Sequence, residues 1–449
     1  MSRPRRLLIP LILAIFPGEI VPAAAAPVAA TVAPAPAPRR IAVRCGRLID
    51  GVSESAVTGA TVLIEGDRIV AVGRDLAVPP GAARIDLTAY TCLPGFIDCH
   101  THLTDRPESE SDEADQLRRS AADVAFRSID SARRTIEAGF TTVRDVGATY
   151  AFTDVSLRDA INRGDVVGPR MQVAGFYVTI PGGGGELNSF APELRLPEAL
   201  RFGVVTGPDD VRRVVREAIR HRVDLIKVIA SGAFLAIGNV PQRPAFTEEE
   251  MRAAVQEAGK AGLRVAAHAH GATSILEASR AGVASIEHGS YIDDEGIRML
   301  LKQGTYLDPD LYDDVWIRAE ARAAGWPEEY LRKEEEVHKV WPETIRKARR
   351  AGVKITYGTD SAVYPHGENG RQFALMSEWL GMSPMEAIRS ATSVAAALLG
   401  WEDRVGRLAP GRYADLVAVA GDPIQDLHRL ESVPFVMKGG DVVKDTRHD

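Results

Sequence analysis

The sequence predicts an α/β fold, a (β/α)8 TIM barrel with a small β-sandwich domain formed from both chain ends. The first observation is that eight short apolar runs recur along the middle of the 449-residue chain, with helical stretches between several of them. Alternation of this kind predicts parallel βα units, and eight such units predict a closed barrel. The second observation is that segments with strand-like patterns flank this middle part on both sides.

The barrel is predicted to span residues 91–400. Its eight apolar runs lie at 93–99, 141–146, 171–174, 225–230, 265–269, 284–288, 305–308 and 355–360. Helical patterns lie between several of these runs, at 209–221, 247–261 and 327–351. An open doubly wound sheet is the alternative, but no glycine-rich dinucleotide motif follows any run.

The β domain is predicted to combine residues 40–90 with residues 401–449. A hairpin pattern occupies 60–73, with its turn at Gly66 and Asp67. Similar strand patterns return near the other chain end, at 414–420, 434–438 and 441–444. Two such segments around a long middle part indicate one small domain built from both ends.

The start of the chain has the pattern of a secretory signal peptide. Three arginines precede an apolar run at 7–16, and a stretch of small residues follows. This order of regions predicts a cleaved signal peptide at 1–26, followed by a flexible tail rich in alanine and proline at 27–39. We therefore expect an exported protein, periplasmic in a Gram-negative source, that has no membrane association after signal cleavage.

The overall composition excludes several classes of protein. The chain is 45% hydrophobic and 26% charged, which excludes a disordered or collagen-like protein. Its formal net charge of −7 gives no basic field for nucleic acid, so no nucleic-acid partner is expected. Three cysteines are too few for a disulfide framework, and Cys45, Cys92 and Cys99 are expected to be buried rather than catalytic.

Chemistry-bearing side chains stand at the ends of the predicted strands. His100 and His102 close the first apolar run, and residues two apart on a strand point to the same side. Two imidazoles at this spacing favour a shared metal ion. Further polar residues end or interrupt later runs, namely Lys227, His268, His288 and Asp360. Each has an ordinary alternative, a buried histidine or a helix N-cap, but barrel enzymes build their sites at these strand ends.

Lys227 is unusual because it lies within an apolar strand pattern. Burial would lower the pKa of its ammonium group and leave a fraction as the free amine. A free amine close to divalent metal can add carbon dioxide and become an anionic carbamate with two ligand oxygens. The alternative is a lysine that pairs with a nearby carboxylate, Asp224 or Glu287.

Taken together, these residues resemble the metal-dependent amidohydrolase superfamily in its two-metal form with a carboxylated lysine. The similarity is closest to the branch of Xaa-Pro dipeptidases, basic-residue carboxypeptidases and ochratoxin-hydrolysing amidases. The matching strings are LPGFIDCHTH at 93–102, IKVIASG at 226–232, HAHG at 268–271, IEHG at 286–289, GTD at 358–360, PHG at 365–367 and GRLAPGRYADL at 406–416. The resemblance covers nearly everything from about residue 40 onward.

The resemblance implies a set of metal ligands. His100, His102 and Asp360 would hold one zinc ion, and His268 and His288 would hold the second. Carboxylated Lys227 and a hydroxide would bridge the two ions. Imidazole and carboxylate-type oxygens suit zinc, and Asp360 would carry a proton from the attacking hydroxide to the leaving amine.

Four further residues are candidates for substrate binding. His270 and His366 lie beside the ligand strands, and Tyr177 and Tyr312 follow the third and seventh runs. The histidines would orient ligands or bind a substrate carboxylate, and the tyrosines would hydrogen-bond the carbonyl oxygen. Packed tyrosines and loop histidines are the alternatives. Gly184 stands where members of this branch commonly have a histidine, which alters the expected recognition of the substrate's C-terminal side.

The expected activity is hydrolysis of an amide bond next to a C-terminal amino acid. Candidate substrates are dipeptides including Xaa-Pro, N-acyl amino acids and ochratoxin-like amides. A lactonase or another hydrolase of cyclic amides or esters is the alternative on the same site. A non-catalytic binding protein would be expected to lack a ligand, and none is missing. Relatives in this branch tend to form homo-oligomers, which implies the same for this chain.

Overall fold

Strands and helices alternate through most of the computed structural model, which describes residues 38–448 apart from the side chains of residues 110 and 111. The predicted signal peptide, 1–26, and residues 27–37 of the predicted tail lie outside the described residues. The strands are β1 (Arg40–Leu48), β2 (Val57–Thr58), β3 (Ala60–Glu65), β4 (Arg68–Arg74), β5 (Ala83–Pro94), β6 (Phe96–Thr101), β7 (Phe140–Asp145), β8 (Arg170–Val173), β9 (Tyr177–Val178), β10 (Leu225–Ile229), β11 (Arg264–Ala269), β12 (Ser285–His288), β13 (Tyr306–Asp308), β14 (Leu416–Ala420), β15 (Phe435–Lys438) and β16 (Asp441–Asp445).

Helices connect many of these strands. The α-helices are α1 (Glu108–Ser111), α2 (Ala121–Glu137), α3 (Thr153–Arg163), α4 (Pro208–Arg220), α5 (Glu248–Gly259), α6 (Ala272–Ala281), α7 (Asp294–Gln303), α8 (Leu311–Trp316), α9 (Glu328–His338), α10 (Trp341–Arg350), α11 (Gln372–Glu378), α12 (Pro384–Ser390) and α13 (Ser393–Leu399). Short 3-10 helices lie at Glu113–Arg118, Glu198–Leu200, Asn369–Arg371 and Leu427–Glu431, and a π-helical turn at Ile317–Ala321. No helix within residues 38–448 has both the length and the apolar character that a membrane crossing requires.

Strands from both chain ends form one mixed sheet of eight strands. Its order is β16-β15-β14-β5-β1-β3-β4, with β2 paired to β1. The two ends meet where β14 pairs antiparallel with β5. Buried side chains from several of these strands, among them Val43, Val62 and Phe435, pack in one apolar cluster. The sequence predicts a small β-sandwich domain from both chain ends, and strands from both ends do join here, hydrogen-bonded in one mixed sheet.

The middle of the chain forms two parallel sheets. One has the order β6-β7-β8 and the other the order β13-β12-β11-β10-β9. All their strand pairs are parallel. These strands are almost fully buried on both faces, as expected where helices cover a parallel sheet.

The predicted eighth strand, 355–360, differs from the others. It hydrogen-bonds to both parallel sheets, through Leu307 N–H to Lys354 C=O at 2.9 Å and Cys99 N–H to Tyr357 C=O at 2.7 Å. It forms only isolated bridges, however, and no regular ladder. The backbone N–H of Thr359 is shared between the buried Asp98 carboxylate at 3.1 Å and the His100 carbonyl at 3.3 Å. The segment therefore contacts both sheets without being a regular strand.

The long helix predicted at 327–351 is interrupted. α9 ends at His338 and α10 begins at Trp341. Pro342 lies in the first turn of α10, where a missing N–H costs nothing, but it could not continue a preceding helix. The helices predicted at 209–221 and 247–261 correspond to α4 and α5, and Thr247 closes a capping box at the start of α5.

A disulfide joins β1 to β5. Cys45 and Cys92 are bonded, with their Cα atoms 5.9 Å apart, and Cys99 is free and buried. The sequence predicts burial of all three cysteines but gives no pairing, because a separation of 47 residues in the chain carries no information about distance in space. The bond therefore cross-links two neighbouring strands of the mixed sheet.

Removing this disulfide is expected to lower the free energy of unfolding by about 2 to 4 kcal/mol, because the unfolded chain regains the entropy of a long loop. The double variant Cys45→Ala/Cys92→Ala would be compared with wild type in chemical denaturation. Cys99→Ala is the control, since it changes a buried thiol without opening a loop. Titration of unreduced, unfolded wild type should find one thiol; three thiols would contradict the pairing.

Candidate metal centre and active site

A cavity of about 180 Å³ lies at the carboxyl ends of the parallel strands. It is lined by all six predicted metal ligands, namely His100, His102, Lys227, His268, His288 and Asp360. The first two come from β6 and the loop after it, and the next three from β10, β11 and β12. Each strand is held in register by its parallel neighbours, so the ends converge on one site. The six side chains that the sequence spacing singled out therefore line a single cavity.

The histidines are oriented by contacts that leave one ring nitrogen of each facing the cavity. His102 Nδ1 donates to the Gly147 carbonyl at 2.8 Å, and His268 Nε2 donates to the Gly232 carbonyl at 3.2 Å. Because a carbonyl oxygen only accepts, the contacting nitrogen of each ring carries a proton. His100 Nδ1 and His288 Nδ1 lie 3.0 and 3.2 Å from Asp310 Oδ2. Contacts of this kind fix the tautomer of metal-binding histidines.

Two groups of ligand atoms are close enough to hold metal ions. Within each group the atoms lie within 4.8 Å of one another. The groups are His100, His288 and Asp360, and His268, His270 and His288. His270 thus has a second possible role beside the predicted substrate contact, since its Nε2 has no hydrogen-bond partner in the described chain. The donor set of imidazoles and a carboxylate fits zinc or a similar divalent ion.

Lys227 is buried beside these ligands. Its side chain is 2% exposed, and its Nζ lies 3.4 Å from His100 Nε2. No carboxylate of the described residues comes within ion-pair distance of it: Asp224 pairs with Arg158 at 2.7 Å, and Glu287 with Arg144 at 2.9 Å. Burial lowers the pKa of Lys227 below its usual value. These contacts exclude both pairings that the sequence left as alternatives.

Charges beneath the site were not predicted from the sequence. Arg144 on β7 reaches β12, where its guanidinium donates to both oxygens of Glu287 at 3.0 and 2.9 Å, and it lies 3.5 Å from Asp308. Glu287 Oε2 lies 3.3 Å from His100 Nδ1. Asp310 contacts a histidine of each ligand group. The sequence does show acidic residues in or just after several apolar runs. Acidic residues at such positions are common, however, and do not by themselves indicate contacts with metal-binding histidines.

Burial and neighbouring charges set the protonation of the ligands. Burial, reinforced by the Lys227 charge, lowers the pKa of His100 to about 4 and that of His268 to about 3. Burial also opposes a charge on His102, but the adjacent Asp360 carboxylate outweighs it and raises the pKa of His102 to about 9. Neutral imidazoles are the form that binds metal, so His100 and His268 are ready ligands at neutral pH.

Three residues of the site have left-handed backbone conformations. The φ angles are 69° at His288, 48° at Asp310 and 53° at Asp360. Residues other than glycine adopt this region rarely, and it costs of order 1 kcal/mol or more for each. His288 and Asp360 line the cavity, and Asp310 contacts His100 and His288.

The predicted substrate-binding residues divide into two pairs. Tyr177 lines the cavity, with its hydroxyl 3.0 Å from His102 Nδ1, and His270 lies among the ligands. His366 and Tyr312 do not line the cavity. His366 Nε2 donates to the Asp105 carbonyl at 3.0 Å, and the Tyr312 hydroxyl donates to Glu368 at 2.6 Å. Tyr312 lies in helix α8, and its hydroxyl is directed to Glu368 and not to the proposed metal ligands. The strand patterns of the sequence do not indicate this direction.

Gly184 lies in the cavity wall. A Cβ atom at this position would come within 2.7 Å of the Ala233 Cβ and 3.2 Å of the Ile229 Cγ2. A histidine could therefore occupy this position only if its neighbours moved. The lining also includes two carboxyl groups that sequence patterns did not indicate, those of Asp313 and Glu334.

Imidazoles, a carboxylate and a buried lysine at the ends of parallel strands define the class of metal-dependent hydrolases. Comparison with known proteins agrees. The model of the Amidohydrolase family matches residues 91–444, and the chain belongs to this family. It is an amide-hydrolysing enzyme of the branch that the sequence motifs indicated.

Its relatives include well-defined hydrolases. It is 29% identical to ochratoxinase from Aspergillus niger over 422 residues, which cover 90% of this chain and 86% of the relative. A crystal structure of a Xaa-Pro dipeptidase with bound methionine in the active site has a TM-score of 0.84 at 36% identity, covering 90% of this chain and 99% of that one. Imidazolonepropionase from Cereibacter sphaeroides is 28% identical over 406 residues, covering 83% of this chain and 91% of the relative.

Proposed function

We propose that this enzyme is a zinc-dependent hydrolase that cleaves an amide bond next to a C-terminal amino acid. The observation that carries the proposal is Lys227, which is buried beside two groups of metal-ligand atoms and has no carboxylate partner within residues 38–448. An amine in this setting is suited to become the carbamate that links two cations. The similarity to a Xaa-Pro dipeptidase and to ochratoxinase supports dipeptides, N-acyl amino acids or ochratoxin-like amides as substrates.

The ligand set assigns a role to each residue. His100, His102 and Asp360 would hold one ion, His268 and His288 the other, and carboxylated Lys227 both. Two zinc ions bound there would supply an activated water and polarise the scissile carbonyl. Asp360 would accept the proton of the attacking water and deliver it to the nitrogen of the leaving amine. Tyr177, beside His102 in the cavity, would donate its hydroxyl to the oxygen of the substrate carbonyl.

A second candidate is hydrolysis of a cyclic amide or ester, as in a lactonase. The similarity to imidazolonepropionase favours it, because the chain matches that relative over most of its length. The two candidates share the metal centre and differ in the substrate that the cavity accepts.

The proposal extends to the architecture around the site. We propose that the two parallel sheets and residues 354–361 close into the (β/α)8 barrel. The hydrogen bonds of this segment to both sheets support closure, and so does Arg144, which spans from β7 to Glu287 on β12 through the interior.

Export and self-association complete the proposal. We propose that residues 1–26 direct export, and in a Gram-negative source that the periplasm is the destination. The Cys45–Cys92 disulfide supports this, since such bonds persist in oxidising compartments. A homo-oligomer is proposed from the resemblance to this branch.

Metal analysis combined with a substrate panel tests the function. Protein purified without chelator should carry about two zinc ions per chain, and removing them should abolish hydrolysis until zinc is restored. Dipeptides, N-acyl amino acids, ochratoxin and lactones would be compared by mass spectrometry. Cleavage of lactones alone would reject the amide proposal and leave the second candidate, and full activity after complete metal removal would reject both.

A further inference from the structure

One buried carboxylate contacts ligands of both proposed metal positions. Asp310 Oδ2 lies 3.0 Å from His100 Nδ1 and 3.2 Å from His288 Nδ1. The first of these histidines belongs to the proposed ligands of one ion, and the second to those of the other. Asp310 itself is fully buried. A single oxygen atom therefore adjoins both halves of the proposed centre.

Helix capping does not account for this carboxylate. Asp310 occupies the N-cap position of α8, where an aspartate commonly accepts a backbone N–H of the first turn. Its side chain makes no such hydrogen bond. The backbone N–H of Tyr312, in that first turn, donates instead to the side-chain oxygen of Gln372 at 3.1 Å. Because Gln372 supplies the acceptor, the Asp310 carboxylate faces the histidines without leaving this N–H unpaired.

The position of the Asp310 side chain is unfavourable in two respects. Its backbone φ of 48° is rare for a residue other than glycine. Neither of its carboxyl oxygens has a hydrogen bond of good geometry with any group in the part of the chain that the structure describes. A buried carboxylate without donors is costly. The two ring nitrogens lie close enough to offset this cost, provided that each carries a proton.

A proton on Nδ1 leaves the lone pair of an imidazole on Nε2. In His100 this second nitrogen adjoins other proposed ligands, since it lies 3.4 Å from Lys227 Nζ and 3.6 Å from Asp360 Oδ1. A carboxylate that accepts the Nδ1 proton also fixes the orientation of the ring and makes its other nitrogen a better metal ligand. One acceptor placed between two rings has this effect on both.

We propose that Asp310 is a positioning residue shared by the two metal positions, which fixes the tautomer and the ring orientation of His100 and His288 through one carboxylate oxygen. The inference rests on the proposed two-zinc hydrolase. The two rings differ in their other contacts. Glu287 Oε2 also lies 3.3 Å from His100 Nδ1, whereas the one carboxylate of the described residues that pairs with His288 is Asp310. The second position therefore depends on Asp310 more strongly than the first.

Single-ion backgrounds test this dependence. His268→Ala removes a proposed ligand of the second ion alone, and His102→Ala removes one of the first ion alone. Asp310→Asn keeps the size of the side chain and tolerates the left-handed backbone, but its amide is a weaker acceptor. In competition with a chromophoric chelator, Asp310→Asn should lower zinc affinity about 10-fold in the His268→Ala background and up to about 100-fold in the His102→Ala background. Unchanged affinity in either background overturns the proposal.

A matched aspartate makes the result specific. Asp314 lies on α8, is fully buried, and has its Oδ2 3.0 Å from Nδ1 of His338, a histidine outside the proposed ligand set. Asp314→Asn therefore removes a buried carboxylate beside a histidine without touching a ligand, and zinc affinity should stay unchanged in both backgrounds. An equal loss of affinity in Asp314→Asn would overturn the assignment to Asp310.

The ring tautomers of zinc-free wild type test the proposal without any need for a variant to bind metal. With ¹⁵N-labelled histidine, NMR should find the proton on Nδ1 in both His100 and His288, the signals being assigned by their loss in His100→Gln and His288→Gln. A proton on Nε2 of either neutral ring overturns the proposal. If wild type binds no zinc and hydrolyses no amide, the proposed function fails, whereas Nδ1 protonation of both rings that Asp310→Asn abolishes still supports the positioning role.

Discussion

Replacing Lys227 with alanine is expected to lower kcat/KM by at least about 1,000-fold, because loss of metal-assisted catalysis removes several kcal/mol of transition-state stabilisation. Lys227 is buried beside His100 and has no carboxylate partner in the described chain, so its removal breaks no structural ion pair. The zinc content of the purified variant should fall below that of wild type. Steady-state kinetics and metal analysis on the same preparation measure both effects.

Two comparisons make this result specific to the lysine. Lys260→Ala removes an exposed lysine that pairs with Glu257 at 2.7 Å on the outside of the fold, and should leave activity and zinc content unchanged. Short carboxylic acids added to Lys227→Ala should restore part of the activity, since they supply the two oxygens that the carbamate would provide. A Lys227→Ala enzyme with full activity and full zinc content would exclude the bridging lysine.

Replacing Asp360 with asparagine is expected to reduce kcat by at least about 1,000-fold, from the combined loss of a metal ligand and a proton carrier. The choice of asparagine follows from the backbone. Asp360 has a φ of 53°, a conformation that asparagine tolerates and alanine does not. The variant should therefore fold as wild type does, and rapid-quench kinetics would assign the loss to the chemical step.

A second aspartate with the same backbone provides the control. Asp75 has a φ of 54° and is exposed. It directly follows β4 of the mixed sheet and lies far in sequence from most of the proposed metal ligands. Asp75→Asn should preserve kcat, KM and the thermal midpoint. Retention of wild-type kcat in Asp360→Asn would rule out this carboxylate as the proton carrier.

The meeting of the six proposed ligands in one cavity was predictable, because it follows from strand periodicity and from the convergence of parallel strand ends. His100 and His102 share a side of β6, and each later ligand ends or interrupts its own apolar run, so local patterns were sufficient to bring them together. The helices at 209–221 and 247–261 followed from their own periodicity and caps. These features depend on short segments, so the residues of each segment are sufficient to predict them.

Features that depend on distant partners were not predictable. Arg144 and Glu287 are 143 residues apart, and nothing in either segment indicates their contact. The same holds for the Cys45–Cys92 bond. Tyr312 follows a strand as expected, but the helix it enters takes its hydroxyl to Glu368. The contact of the Asp98 carboxylate with the Thr359 backbone N–H likewise joins residues that are 261 apart in the chain.

The left-handed conformations of His288, Asp310 and Asp360 affect any attempt to move this centre into another protein. Grafting the side chains onto an idealised strand would place them at negative φ, and their metal-binding atoms would point elsewhere. A designer would have to transplant the turns that follow β12 and β13 and the segment 355–361, with the packing that stabilises them. The centre thus depends on backbone conformation as much as on residue identity. Transferring the sequence motifs alone would not reproduce it in another protein.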